Sequence, residues 1–202
     1  MKPNISGKKV AVLISGRGSN LGSLIDAADG TYKIILVVSN IAGAGGLDRA
    51  RAAGIPTAIV PHAGKTREAF DAEVDQVLRA ANAELVVLAG FMRILSDGFV
   101  RGWEGQMINI HPSLLPAYKG TKVHERVIEA KESKSGASVH FVVPELDAGP
   151  VIAQASVPVY PSDTPQMLAD RVLAVEHNLY PEALKLLASG KVRLQNGLAV
   201  FT

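Results

Sequence analysis

The 202-residue chain contains no cysteine. That absence removes disulfides, thiolate metal cages, a cysteine nucleophile and a dithiol relay together. Aromatic residues make up only 5%, and charge of neither sign dominates: 21 Lys and Arg stand against 19 Asp and Glu, a net charge of +2. With no long basic block, binding to nucleic acid or lipid headgroups by charge alone is not expected, and the slight basic tilt suits a small anionic ligand better than a polymer. No apolar run approaches the roughly 20 residues that a membrane-spanning helix needs. The polar stretch Met1–Lys9 lacks the apolar core and small-residue cleavage site of a secretory signal. The expectation is a cytoplasmic protein with neither a membrane nor a nucleic-acid partner.

What the chain does have is 48% hydrophobic residues, enough to bury a core the size of one ordinary domain. Short apolar, β-rich runs recur at Val10–Ile14, Ile34–Val38, Thr57–Val60, Leu85–Leu88 and Met107–Ile110. They read as strands buried on both faces of a parallel sheet. Between them, Phe70, Val74, Val77, Leu78 and Ala81 form a helical stripe, with shorter helices expected over Leu21–Ala28 and Leu47–Ala53. After Pro112 the rhythm changes to a helical patch at His124–Ala130 and more alternating strands at Ser138–Val143 and Val151–Val157. Asp163-Thr164-Pro165 opens a long helix that Pro181 is expected to kink or restart, and Lys191–Phe201 reads as a hairpin about Asn196-Gly197. The fold class implied is α/β, an open, doubly wound, mostly parallel sheet with mixed or antiparallel C-terminal strands. No linker or repeat divides it, so residues 1–202 are expected to form one domain, with an N-terminal half of about 1–105 and a C-terminal half of about 106–202.

Ser15-Gly16-Arg17-Gly18-Ser19-Asn20 falls between the first strand and its helix, where unpaired backbone N–H groups and the helix dipole attract an anion. Gly18, Ser19 and Asn20 thereby describe a cradle for one phosphate; the alternative is a tight turn before a capped helix. A dinucleotide is disfavoured because Leu21 occupies the place of the third fingerprint glycine and Ser39-Asn40 that of the ribose-binding acid. No Gly-Lys-Ser/Thr closes a nucleoside-triphosphate loop either.

Further on, the spacing of two in Asn109-Ile110-His111 puts both polar side chains on one face of a strand that Pro112 ends. At the carboxyl end of a parallel strand they face the ligand crevice, where an imidazole can move protons and an amide can donate to an oxyanion. The turn Glu145–Pro150 presents Asp147, an acid that would orient His111 and favour its charged form. Each residue alone is equally a satisfied structural group. None of the five histidines has metal-motif spacing, so no metal is expected.

Five ordered blocks, Val12–Leu21, Leu88–Leu95, Asn109–Pro116, Ser138–Val142 and Glu145–Ile152, closely resemble the folate-dependent glycinamide ribonucleotide formyltransferases, nearly end to end. The resemblance implies formyl transfer from 10-formyltetrahydrofolate to the amine of glycinamide ribonucleotide, in purine biosynthesis, with Asn109, His111 and Asp147 catalytic. It assigns the ribotide phosphate to Gly18, Ser19 and Asn20, and the rest of that substrate to Leu173, Ala174, Val175 and Glu176. It assigns the folate to Arg67, to Met92, Arg93, Ile94 and Leu95, and to Asn109, Val143, Pro144, Glu145, Leu146 and Asp147. The expected partners are these two small molecules, and the expected assembly is a monomer or homodimer. Lys119–His124 departs from the family's usual loop, where a Leu and a more polar stretch lead to the histidine. Two siblings, methionyl-tRNA formyltransferase and formyltetrahydrofolate deformylase, share the Asn, His and Asp. The chain's start near the first strand and its end near the last helix are expected to leave no room for their extra domains. A deformylase-like hydrolase and a noncatalytic ribotide-phosphate sensor on the same fold are the alternatives.

Overall fold

The structure, a computed structural model, describes residues 7–202; residues 1–6, the start of the polar N-terminal stretch, lie outside the described residues. In chain order the elements are β1 (Lys8–Ile14), α1 (Ser19–Asp26), β2 (Tyr32–Ser39), α2 (Gly45–Ala52), β3 (Thr57–Ile59), α3 (Arg67–Ala80), β4 (Leu85–Leu88), α4 (Asp97–Gly102), β5 (Met107–His111), α5 (Val123–Glu129), β6 (Lys134–Phe141), β7 (Val151–Pro158), α6 (Pro165–Ala188), β8 (Val192–Gln195) and β9 (Leu198–Phe201).

Seven strands form one sheet in the order β3-β2-β1-β4-β5-β6-β7. The first five are parallel, and β6 and β7 are antiparallel to their neighbours. Continuous apolar runs suit this arrangement because both faces of the central strands are covered. Val10, Val12 and Ile14 enter one layer with Leu21, Leu24 and Tyr180, while Ala11 and Leu13 enter the opposite layer with Phe70, Leu78 and Trp103. The strand order reverses between β1 and β4, which opens a crevice at their carboxyl ends. β8 and β9 pair separately about Asn196-Gly197, as the turn chemistry implies.

Three local expectations change. α6 runs unbroken across Pro181 instead of restarting. A proline inside a helix costs about 3 kcal/mol or more, but Leu168, Val172, Tyr180, Leu184 and Leu187 are buried on both sides of it. At about 1.5–3 kcal/mol for each large apolar side chain, their burial outweighs the lost hydrogen bond. β6 starts four residues earlier than the alternation suggested and ends at Phe141, leaving Val142 and Val143 outside it. Its early part holds Gly136, where a Cβ would lie 2.0 Å from the Ala155 carbonyl oxygen, so the partner strand fits only against glycine. α4 was not anticipated; at six residues, capped by Ser96 on the Phe99 N–H, it is too short to show a period.

Candidate active site

The turn after β1 is fixed by Ser15. Its hydroxyl donates to Asn40 Oδ1 at 2.6 Å and accepts from the Met92 N–H at 2.8 Å, tying together the loops that follow β1, β2 and β4. Gly18 then caps α1 in the left-handed region at φ 71°, and a Cβ there would come within 2.6 Å of Gly46 Cα. The start of α2 therefore packs directly on the loop. Thr66, Ser96 and Thr164 cap α3, α4 and α6 with their side chains, but no side chain caps α1 and its first turn holds no acid. Its initial N–H groups are left for an external acceptor.

Asn20 Nδ2 donates to Glu176 Oε2 at 2.7 Å, while Asn20 Oδ1 is buried without a partner. Glu176 is itself buried on α6, and burial pushes its carboxyl above the usual range, with the Asn20 bond opposing. One turn further, the Tyr180 hydroxyl reaches the carbonyls of Leu88 (2.8 Å) and Ile108 (3.2 Å). One face of α6 thus joins the α1 loop to the ends of β4 and β5. Leu173 and Val175 are half-buried and Ala174 is exposed. Ser19 also borders a shallow cleft of about 480 Å³ with Ser23, Asp26, Arg49 and His177.

The second cluster comes from strand register. β5 and β6 pair so that Asn109 lies opposite His140 and His111 opposite Ser138. His140 Nδ1 sits 2.8 Å from the Phe141 carbonyl oxygen, which places the ring proton on Nδ1, so Nε2 accepts from Asn109 Nδ2 at 3.2 Å. Burial pulls the His140 imidazole below its usual range, so its Nε2, 3.8 Å from Asp147 Oδ1, makes no ion pair there as a neutral ring. This neutral histidine aims the amide of Asn109 and leaves its second N–H free.

His111 Nδ1 lies 3.4 Å from Asp147 Oδ2, and its Nε2 donates to the Tyr118 carbonyl at 2.9 Å. The same carboxylate oxygen accepts the Gly120 N–H at 2.9 Å. Asp147 itself adopts φ 48°, a left-handed conformation that a non-glycine residue keeps only where its surroundings determine it. The acid and the histidine, 36 residues apart in sequence, thus meet as the spacing alone could not establish.

Asn109, His111, His140 and Asp147 line a cleft of about 690 Å³. Met92, Arg93, Ile94, Leu95, Val143, Pro144 and Leu146 line it as well. Met92, Ile94 and Leu146 are 73%, 56% and 52% exposed and give the cleft an apolar rim. Glu145 is not in the lining and pairs instead with Lys119 at 3.2 Å. Arg67 is exposed at the start of α3, also outside the lining. Sequence reasoning missed His140, the Tyr118 carbonyl and the Gly120 N–H. For His140 the signal was present: Ser138-x-His140 repeats, on the next strand, the polar spacing of Asn109-x-His111. Among the described residues no three His, Asp or Glu side chains gather as a metal site, and no helix is long and apolar enough to cross a membrane.

A doubly wound sheet with an anion-ready helix start and a buried amide, imidazole and carboxylate beside an apolar cleft describes a group-transfer enzyme. The chain belongs to the formyl transferase family, whose model matches residues 8–184. It is 44% identical over 196 residues to the phosphoribosylglycinamide formyltransferase of Escherichia coli K12, covering 94% of this chain and 92% of that protein. It is 51% identical over 194 residues to the trifunctional purine biosynthetic protein adenosine-3 of Bos taurus; the match covers 94% of this chain and only 19% of that relative's length. The solved phosphoribosylglycinamide formyltransferase of Coxiella burnetii superposes with a TM-score of 0.92 at 44% identity, over 96% of this chain and 93% of that one.

Proposed function

We propose that the chain, acting as one catalytic domain, transfers a formyl group from 10-formyltetrahydrofolate to the amine of glycinamide ribonucleotide. The observation that carries this reading is the meeting of Asn109, His111 and Asp147 in the lining of an apolar-rimmed cleft. Family membership and the named relatives support the same reaction. The cleft volume suits a small cosubstrate, with Met92–Leu95, Val143, Pro144 and Leu146 as walls. Gly18, Ser19 and Asn20 take the ribotide phosphate at the uncapped start of α1, and Glu176 with Leu173–Val175 faces the rest of that substrate.

In the reaction the amine nitrogen attacks the formyl carbon, and the carbonyl π pair moves onto oxygen to give a tetrahedral intermediate. Asn109 donates its free N–H to that oxyanion. Nε2 of His111 is committed to Tyr118, so the ring presents Nδ1 to Asp147 and the cleft. This edge relays the proton that leaves the amine nitrogen, and the folate nitrogen gains one as its bond to carbon breaks. The products are formylglycinamide ribonucleotide and tetrahydrofolate. The test is turnover with the two substrates after exhaustive chelation. Undiminished transfer that depends on the formylated folate is expected; a requirement for ATP with formate would refute the assignment, and tight ribotide binding without transfer would favour a sensor.

A further inference from the structure

The loop Tyr118–Lys122 overlaps the segment Lys119–His124 in which the chain departs from the family pattern, and its backbone touches both members of the proton relay. Tyr118 supplies the carbonyl that fixes His111 Nε2, and Gly120 supplies the N–H that fixes Asp147 Oδ2. To present both groups the chain adopts the left-handed region at Tyr118, Gly120 and Lys122, with φ of 56°, 81° and 54°. Such conformations at non-glycine residues cost about 1–3 kcal/mol each and persist only where the surroundings impose them.

One side chain holds the carbonyls on both sides of Gly120. Arg126, on the exposed face of α5, donates from Nη1 to the Lys119 carbonyl at 2.7 Å and to the Thr121 carbonyl at 3.4 Å. These two carbonyls flank Gly120, so holding both fixes the rotation of the peptide whose N–H reaches Asp147. The guanidinium also lies 5.4 Å from the Tyr118 ring centre, over its face, and the Tyr118 hydroxyl donates to Glu132 at 2.7 Å. The Lys119–Glu145 pair also reaches this loop, but at the surface such a pair contributes little.

We propose that Arg126 is a positioning residue for formyl transfer. It clamps the Tyr118–Lys122 loop so that one carbonyl and one N–H hold His111 and Asp147 in register with the cleft. This rests on the reaction assigned above, but the clamp is also readable without it, in the exchange of the Gly120 amide proton with solvent.

Arg126 is exposed, so Arg126→Ala leaves the apolar core intact. In that variant the Gly120 amide exchanges faster by NMR, kcat falls between about tenfold and a hundredfold, and KM for the ribotide stays within twofold, since a displacement of about 1 Å in a catalytic group has costs of this size. Guanidinium ion at low millimolar concentration restores part of the kcat of Arg126→Ala and none is gained by the unaltered protein; Arg126→Lys, which can reach one carbonyl, retains an intermediate rate. Unchanged Gly120 exchange in Arg126→Ala overturns the clamp, as does a kcat loss that neither guanidinium nor lysine recovers. If the unaltered protein itself transfers no formyl group, the reaction assignment fails, and the Gly120 exchange still decides the clamp.

Discussion

Asn20 and Glu176, 156 residues apart, share a 2.7 Å hydrogen bond that places a buried carboxyl directly behind the start of α1. A carboxylate there would work against an anion at the same helix end, and burial already disfavours its charged form. The amide of Asn20 lies between the two, donating to Glu176 and leaving its own buried oxygen without a partner. Loop and helix therefore form one electrostatic unit, although they come from opposite ends of the chain.

This unit has a measurable pH signature. The folded chain holds the Glu176 proton more tightly than the unfolded chain does, so the associated stability is fully present below the ordinary carboxyl range and is lost as pH rises through the raised folded value. Glu176→Gln keeps the shape and an acceptor for Asn20 but never ionises. At pH 8 this variant melts above the unaltered protein, by about 2–4 °C for each kcal/mol recovered, and the gap closes as pH falls toward about 4. Melting curves across that range check it; a gap that widens toward acid contradicts the direction.

Much of this was legible in the sequence for a physical reason. Strands buried on both faces leave continuous apolar runs, and Asn109-x-His111 with Pro112 announces a polar strand end whether or not its partners are known. What was not legible depends on register or backbone. His140 acquires its role only because β6 runs antiparallel to β5 with His140 opposite Asn109. The Tyr118 carbonyl and the Gly120 N–H carry no side-chain identity at all, so no residue pattern could have marked them. Gly46 matters only because it meets Gly18 in space. Arg67, assigned by resemblance alone, has no local pattern tying it to the cleft and lies outside the lining.

The contact between Gly18 and Gly46 separates two glycines in the same loop. Gly18→Ala must place a Cβ 2.6 Å from Gly46 Cα while keeping φ 71°, whereas a Cβ on Gly16 meets nothing within 4 Å. Gly18→Ala is therefore expected to lose about 1–3 kcal/mol of stability and to weaken ribotide binding more than tenfold. Gly16→Ala stays within about 0.5 kcal/mol of the unaltered protein. Calorimetric titration with ribotide and with its dephosphorylated form reads the binding. Equal affinity for the two forms in the unaltered protein would remove the phosphate from this loop.

Removing the oxyanion donor and removing its aiming partner have graded effects. Losing one such donor typically lowers turnover by ~10²–10³, so Asn109→Ala is expected to fall in that range with ribotide affinity nearly unchanged. His140→Leu keeps a buried apolar body but gives Asn109 Nδ2 no acceptor, leaving the amide free to rotate. Its turnover is expected to fall less, by about tenfold. Steady-state kinetics with affinity measured separately decides it; a His140→Leu enzyme as fast as the unaltered one would show that the amide needs no aiming.

Asp147 combines a geometric and an electrostatic task, which one substitution separates. Asp147→Asn preserves size and can still accept the Gly120 N–H that Asp147 Oδ2 receives at 2.9 Å. It removes the negative charge 3.4 Å from His111 Nδ1. Its loss slows transfer, because the imidazolium formed as His111 takes up the proton no longer faces an anion. The stability change is small beside the rate change if the Gly120 bond survives. Steady-state turnover of the two enzymes, with melting temperatures as a control, checks this. An unchanged rate in a folded variant would show that the 3.4 Å contact plays no part in proton transfer.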